Sequence, residues 1–295
     1  MTFSTAHQED NHLKKYLITG VTGTMGQALT KTILEKIPNA YIIGISRDEQ
    51  KQRALPHHER VELRLADIRN VDSLRRAIGK ESVIDCVFHL AALKCVDTLE
   101  ENVSEAIHTN VYGTQNIVDF CEDFGCDLVM ASTDKACYPV NAYGATKALA
   151  EKLVLSNDYK VCRYGNVIGS RGSFIPQIVK CLKEGIPVPI THKDMTRFWI
   201  KTEDVAKFLL DVSAFHEGFG EVFIPKGMFS CHVTVLVKAI AEILGVEKYS
   251  FNPVGIRPGE KIHETLRTSE EGDLLTSETA LCTYSHLIEY LKGVL

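Results

Sequence analysis

The residues with the most chemistry to offer sit in one stretch, 131–152. Tyr143 and Lys147 stand four apart, a spacing that a helix places on one face. A lysine ammonium beside a phenol favours the phenolate and lowers its pKa, which makes a general base from a normally inert tyrosine. Just upstream, Thr133, Asp134 and Lys135 follow a strand predicted over 127–131, and Asp134 with Lys135 forms a second acid/base couple. Ligands of open α/β sheets bind at the carboxyl ends of the strands, where both couples fall. Each also has a plainer reading, Tyr143 as a packed core tyrosine and Asp134 as a turn residue, so the surrounding elements must decide.

Those elements alternate. A short apolar strand over 16–20 runs into Gly20, Gly23 and Gly26, and a helix follows to about residue 37. Glycines at this spacing permit a sharp turn, a close backbone approach to a pyrophosphate and tight helix–strand packing. Helix amides then face the phosphates. The cofactor-facing residues of this turn are Gly20, Thr22, Gly23, Thr24, Met25 and Gly26. The second strand, 40–46, ends in Ser46-Arg47-Asp48, with Lys51 a turn later. An NAD-specific site would carry an acidic residue at that strand's end. Arg47 and Lys51 instead suit a 2′-phosphate, so NADP is favoured over NAD, although the same two residues would also suit a solvated face.

A third strand over 61–66 ends at Asp67 and Ile68, where such folds place a residue against the adenine. The helix 71–78 carries Val71, Leu74 and Ile78 on one side. The fourth strand, 82–90, ends at Ala91 and Ala92, small enough for backbone to lie near a cofactor, and at Lys94, which can reach solvent or substrate. His89 reads as packed. A helix over 103–123 contains Asn110, whose side chain is placed to brace the active-site strand. Five βα alternations with short loops predict an α/β fold, a Rossmann-type doubly wound parallel sheet covered on both faces.

Beyond a sixth strand, 160–164, the chain becomes a smaller C-terminal substrate-binding region. Residues 165–173 are rich in glycine and carry Asn166 and Arg171, which suits diphosphate binding by amides and a guanidinium. Arg197, beside the single tryptophan Trp199, can pair with a phosphate or cap local structure. Thr202 is placed to cap the next helix. The polar loop 254–264 offers Arg257 to a phosphate and Glu260 to ribose hydroxyls. The expected division is 13–165 for cofactor and catalytic Tyr/Lys, and 166–295 mainly for substrate, interleaved with the first.

Bulk properties narrow the classes. The formal net charge is −5 over 295 residues, which argues against nucleic acid and anionic membrane as partners. Nine scattered cysteines without a Cys-x-x-Cys suggest neither a zinc ribbon nor a redox pair, and fit a reducing cytoplasm. Residues 1–12 are polar and unlike a signal peptide, and no apolar run is long enough to span a bilayer.

Taken together the residues resemble the extended short-chain dehydrogenase/reductases. The features are the 19–26 glycine turn, Ala91-Ala92, Asn110 and Tyr143-x-x-x-Lys147. The match is closest to the UDP-N-acetylglucosamine 4,6-dehydratases, through Ser132-Thr133-Asp134-Lys135, Ala91–Lys94, 163–173, 195–200 and 256–261. Tyr143, where larger relatives carry Met, looks like the C5-inverting enzyme of pseudaminic acid biosynthesis. The resemblance implies tightly held NADP, a UDP-N-acetylglucosamine substrate and a homo-oligomer. It also implies a catalytic set of Thr133, Asp134, Lys135, Tyr143 and Lys147, with cofactor contacts from Asn110 and substrate contacts from Lys94, Thr191 and Met195. Tyr143 takes the 4-hydroxyl proton, Lys135 the carbon 5 proton, and Asp134 protonates the departing 6-hydroxyl. Two stretches depart from the pattern. The run 97–103 lacks the usual proline, and the C-terminal extension is shorter than is typical. The rival readings are a retaining nucleotide-sugar 4,6-dehydratase, whose common type carries Glu where Lys135 stands, a UDP-hexose 4-epimerase, which needs no Asp–Lys couple, and a non-catalytic NADP-binding sensor.

Overall fold

Consecutive residues along the central strands are buried on opposite sides, so each strand needs a covering layer on both faces. Leu17, Ile43, Val87, Leu128 and Val161 face one layer, and Ile18, Ile42, Phe88, Val129 and Cys162 face the other. The computed structural model, which describes residues 13–81, 83–170, 174–215 and 220–295, supplies both. The first strands and helices are β1 (Lys14–Thr19), α1 (Thr24–Lys36), β2 (Ala40–Ser46), α2 (Glu49–Arg53), β3 (Val61–Leu65), α3 (Val71–Ile78) and β4 (Cys86–His89). They are followed by α4 (Val96–Glu101), α5 (Val103–Ala106), a π-helical turn (Ile107–Tyr112), α6 (Gly113–Phe124), β5 (Asp127–Thr133), α7 (Ala142–Leu155) and β6 (Lys160–Tyr164).

The C-terminal part holds β7 (Asn166–Ile168), α8 (Phe174–Glu184), β8 (Val188–Ile190), β9 (Thr196–Lys201), α9 (Thr202–Ser213), β10 (Val222–Phe223) and β11 (Phe229–His232). The chain continues with α10 (Val233–Ile243), β12 (Phe251–Pro253), β13 (Thr265–Arg267), β14 (Leu275–Thr276) and α11 (Tyr284–Lys292). The main sheet is seven-stranded in the order β10-β6-β5-β4-β1-β2-β3, and every pair in it is parallel. Helices α3, α6 and α7 cover one face, and α1 with α9 the other. The strand order reverses between β1 and β4, and the carboxyl ends of those strands flank the crevice where such sheets bind ligands.

Gly20, with φ of +70°, makes the turn at that crevice. A side chain there would drive a Cβ to 2.9 Å from the Ala91 nitrogen, so only glycine lets the ends of β1 and β4 close together. A third core, built from Ile175, Ile178, Trp199, Phe229, Leu236, Val237, Ile240 and Leu287, holds the C-terminal part together. Among the described residues, no helix is long and apolar enough to cross a membrane.

Two local expectations need correction. The single helix expected over 103–123 is interrupted by the π turn, which carries Asn110. Thr202 does not cap α9. The cap position is Lys201, and the Thr202 hydroxyl donates to the Ile168 carbonyl at 2.7 Å, tying α9 to β7 instead.

Candidate active site

The chemistry is set by the turn that ends β5. Thr133 is extended and caps a 3-10 turn over Asp134–Ala136. Its hydroxyl accepts from the Lys135 amide at 3.3 Å and donates to Asp134 Oδ1 at 3.0 Å. The same Oδ1 receives the Lys135 ammonium at 3.0 Å. Asp134 is fully buried, and its Oδ2 has no hydrogen-bond partner.

Helix α7 is brought onto this turn by two local devices. Asn141 caps it through Oδ1, which accepts from the Gly144 amide at 2.6 Å. A Cβ at Gly144 would lie 2.2 Å from the Lys135 carbonyl, so the helix seats this closely only because the residue is glycine. Tyr143, in the first turn, thereby lies with its phenol against the Thr133 hydroxyl.

The pairing of Tyr143 with Lys147 expected from their spacing takes a different form here. The spacing puts both on α7, but a buried ammonium needs an acceptor, and Lys147 donates to the Ala131 carbonyl at 2.8 Å. Burial lifts the Tyr143 phenol to about 12, and the cation that opposes the rise is Lys135. Burial lowers Lys147 to about 8, with Glu151 acting against it.

Lys135 behaves in the opposite way. Burial works against its charge, but Asp134 and Glu264 outweigh that cost and hold the ammonium above its ordinary range. Asp134 is pushed up, first by burial and then by Glu264, with Lys135 opposing. The turn therefore holds a carboxylate whose affinity for a proton is raised, in an ion pair with a lysine that keeps its own.

Glu264 is the functional neighbour that sequence reasoning missed. It is buried, with Oε1 3.3 Å from the Lys135 ammonium and Oε2 3.0 Å from that of Lys261. It closes the polar loop 254–264, and its only local signal was an acid three residues after Lys261. A second network stands behind the turn. Ser132 donates to Glu151, which pairs with Arg163, and Arg163 also holds Glu271 and the Leu266 carbonyl.

On the cofactor side, α1 begins at Gly23 with no side-chain cap and no acid in its first turn, leaving its end suited to an anion. Thr22 and Gly26 are buried, and Thr24 and Met25 partly so. Ser46 accepts from Gln52, and Asp67 pairs with Arg69 and lies 3.8 Å from Arg47. Lys51, half exposed, pairs with Asp48 at 2.7 Å. Ile68 is buried in the core, Ala91 is half-buried, and Ala92 and Lys94 are exposed. Asn110 does not reach the active-site strand. Its amide exchanges hydrogen bonds with Leu93 and donates to Thr146, bracing the loop after β4 against α7. His89 is packed as expected, between Thr19 and Thr114, and burial takes it down to about 3.

On the substrate side, Asn166, Thr191, Met195, Arg197, Arg257 and Glu260 all line one cavity of about 280 Å³, together with Phe174, Gln177 and Trp199. Arg197 gives hydrogen bonds to the carbonyls of Thr196, Lys261 and Ile262, so local structure already uses much of its guanidinium. Arg171 lies outside the described residues. Among the described residues, no group of three His, Cys, Asp or Glu side chains could hold a metal ion.

A doubly wound parallel sheet with a glycine turn at the crevice and a tyrosine–lysine helix beside it defines an extended short-chain dehydrogenase/reductase. Within that class the chain belongs to the polysaccharide biosynthesis protein family, whose model matches residues 16–285. It is 42% identical over 282 residues to the UDP-N-acetylglucosamine 4,6-dehydratase (inverting) of Campylobacter jejuni, covering 88% of this chain and 79% of that one. It is 38% identical over 277 residues to the UDP-glucose 4-epimerase of Rickettsia typhi, with the same coverage of each. Among solved structures, Pen from Bacillus thuringiensis superposes with a TM-score of 0.86 at 28% identity, covering 95% of this chain and 97% of that one. The fold is also that of DesIV, a dTDP-glucose 4,6-dehydratase from Streptomyces venezuelae solved with NAD, at a TM-score of 0.76 and 21% identity over 95% and 97% of the two chains.

Proposed function

We propose that this chain is a UDP-N-acetylglucosamine 4,6-dehydratase that inverts carbon 5, making a 4-keto-6-deoxy nucleotide sugar for surface glycan or pseudaminic acid synthesis in the cytoplasm. The observation that carries this reading is the Asp134–Lys135 couple beside Tyr143. An epimerase has no need of that couple. A nicotinamide dinucleotide, when bound, takes a hydride from carbon 4 and returns one to carbon 6. Gly20, the uncapped start of α1 and Arg47 would hold it.

The residues of the chain account for the protons. Tyr143 acts as the phenolate, the form that the Lys135 charge favours against burial, and takes the 4-hydroxyl proton, with Thr133 hydrogen-bonded at that position. Lys135 passes its resting proton to Asp134 across their 3.0 Å contact, which leaves a neutral amine beside a carboxylic acid. The amine then removes the proton on carbon 5, made acidic by the neighbouring ketone, and Asp134 protonates the 6-hydroxyl as it leaves as water. The couple ends this step as the ion pair it began as, needing no outside proton. The proton that Tyr143 took from the 4-hydroxyl is then delivered to carbon 5 from the opposite face, which inverts that centre and returns Tyr143 to its starting state. Asn166 and Arg257 would hold the diphosphate in the cavity and Glu260 the ribose hydroxyls.

NADP is the preferred cofactor in this reading, on the strength of Arg47, half exposed at the end of β2. Replacing Arg47 with Ala should weaken NADP binding about tenfold and leave NAD binding unchanged by titration. The reaction itself is tested by incubating the purified protein with UDP-N-acetylglucosamine and weighing the product. A loss of one water is expected. An isomer of unchanged mass would make the protein an epimerase, and unchanged sugar would sink the reading.

A further inference from the structure

Glu264 reaches the active turn from a remote segment, yet it is fixed as firmly as a strand residue. Its amide donates to Ser277 Oγ at 2.8 Å, and its carbonyl accepts from the Ser277 amide at 2.8 Å. Ser277 Oγ is in turn 2.7 Å from the Thr196 hydroxyl. The side chain is thus aimed by β9 and by the 264–277 segment, and its carboxylate meets three cations: Lys135 at 3.3 Å, Lys261 at 3.0 Å and Arg197 at 4.0 Å. Lys261 is itself anchored, donating to the Cys137 carbonyl at 2.8 Å.

We propose that Glu264 is a positioning residue for Lys135: its carboxylate holds the ammonium against Asp134 and governs how readily Lys135 gives up its proton. The role deepens the proposed dehydratase, since it rests on Lys135 being the base at carbon 5. The groups facing Lys135 are Asp134 on its own turn, Glu264 from the C-terminal segment, Arg197 from β9 and Tyr143 from α7. Two are acids that retain the proton, and Arg197 opposes them. Burial works against the charge of Glu264, but Lys135, Arg197 and Lys261 outweigh it and hold the carboxyl below its usual range. The arrangement guards against premature deprotonation, because the lysine yields its proton only to a neighbour as close as Asp134.

The test is the reactivity of the Lys135 amine towards acetic anhydride, read by peptide mass spectrometry, because only the neutral amine reacts. At about pH 9 the Glu264→Gln variant should acetylate Lys135 roughly tenfold faster than the wild type, the effect of losing one close opposite charge. The alkaline limb of its kcat/KM profile, where the resting ammonium is lost, should move to lower pH by about one unit. Glu264→Asp, which draws the carboxylate back, should give a smaller acceleration. Lys261→Met, which removes a competitor for Glu264, should slow the labelling. If Glu264→Gln does not fold, the last two variants, with their opposite expected signs, decide the matter. A folded Glu264→Gln protein labelled at the wild-type rate, or shifts of the wrong sign in the other two, would overturn the proposal. Labelling needs no substrate, so inactivity of the wild type on UDP-N-acetylglucosamine would defeat the functional reading without touching this result.

Discussion

Lys135 and Lys147 lie on either side of the turn that leads into α7, and their surroundings drive them apart. Lys135 faces two carboxylates, Asp134 and Glu264. Lys147 has the Ala131 carbonyl, and its nearest acid, Glu151, is already committed to Arg163 and Ser132. Burial penalises both ammonium groups, so the difference comes from the charges that compensate it. Lys135 holds its proton tightly, while Lys147 sits at about 8, within reach of neutral pH. Residue type and helical spacing alone would have given the two lysines the same charge. In this site Lys135, rather than Lys147, is the cation acting on the Tyr143 phenol.

Variants of the two lysines break this comparison most directly. Lys135→Ala should cut product formation by roughly 10³-fold, as expected for loss of a general base, with cofactor binding largely kept. Turnover assays and cofactor titration check both halves, and normal turnover would refute the assignment. Stability should then separate the pair with opposite signs. Lys147→Met removes a charge whose folded pKa is below its ordinary value of 10.5, so the unfolded chain holds that proton more tightly between pH 8 and 10.5. Wild-type stability accordingly rises with pH across that window, and the variant should lack the rise. Near pH 7 the variant should gain about 3 kcal/mol in urea melts. Lys135→Met leaves two buried carboxylates short of a cation and should lose about 3 kcal/mol.

His89 offers a smaller control, in a part of the fold with no compensating charge. Its folded pKa of about 3 lies below its ordinary 6.5. The unfolded chain therefore gains a proton that the folded chain refuses, and the stability present above pH 6.5 is lost as pH falls. About 2 kcal/mol should go between pH 6.5 and 5, and His89→Gln should flatten that slope in the same melts.

What the sequence made legible follows from what is local. Strands β1, β2, β4 and β5 could be read because a sheet covered on both faces demands continuous apolar runs, β3 because its apolar and charged residues alternate at the sheet edge, and the glycine turn because its backbone admits little else. Tyr143, Lys147, Asp134 and Lys135 were found by spacing and by position at a strand end. The π turn at Ile107–Tyr112 was hidden because one extra residue in a helix barely disturbs an amphipathic pattern. Thr202 has the sequence of a cap, yet the Ile168 carbonyl takes its hydroxyl. Glu264 was beyond reach for a different reason. Its importance lies in a contact with Lys135 that depends on Ser277, Thr196 and Gly144, and no short window of sequence contains them all. The same holds for the charge states, since spacing brings groups near each other but packing decides which of them touch.

Elimination between carbons 5 and 6 by Lys135 and Asp134 is tested most directly by following UDP-N-acetylglucosamine by NMR, with the protein in deuterated water and no added cofactor. The expected product is a 4-keto-6-deoxy sugar of arabino configuration with deuterium at carbon 5. A xylo product that keeps its original hydrogen at carbon 5 would contradict the assignment.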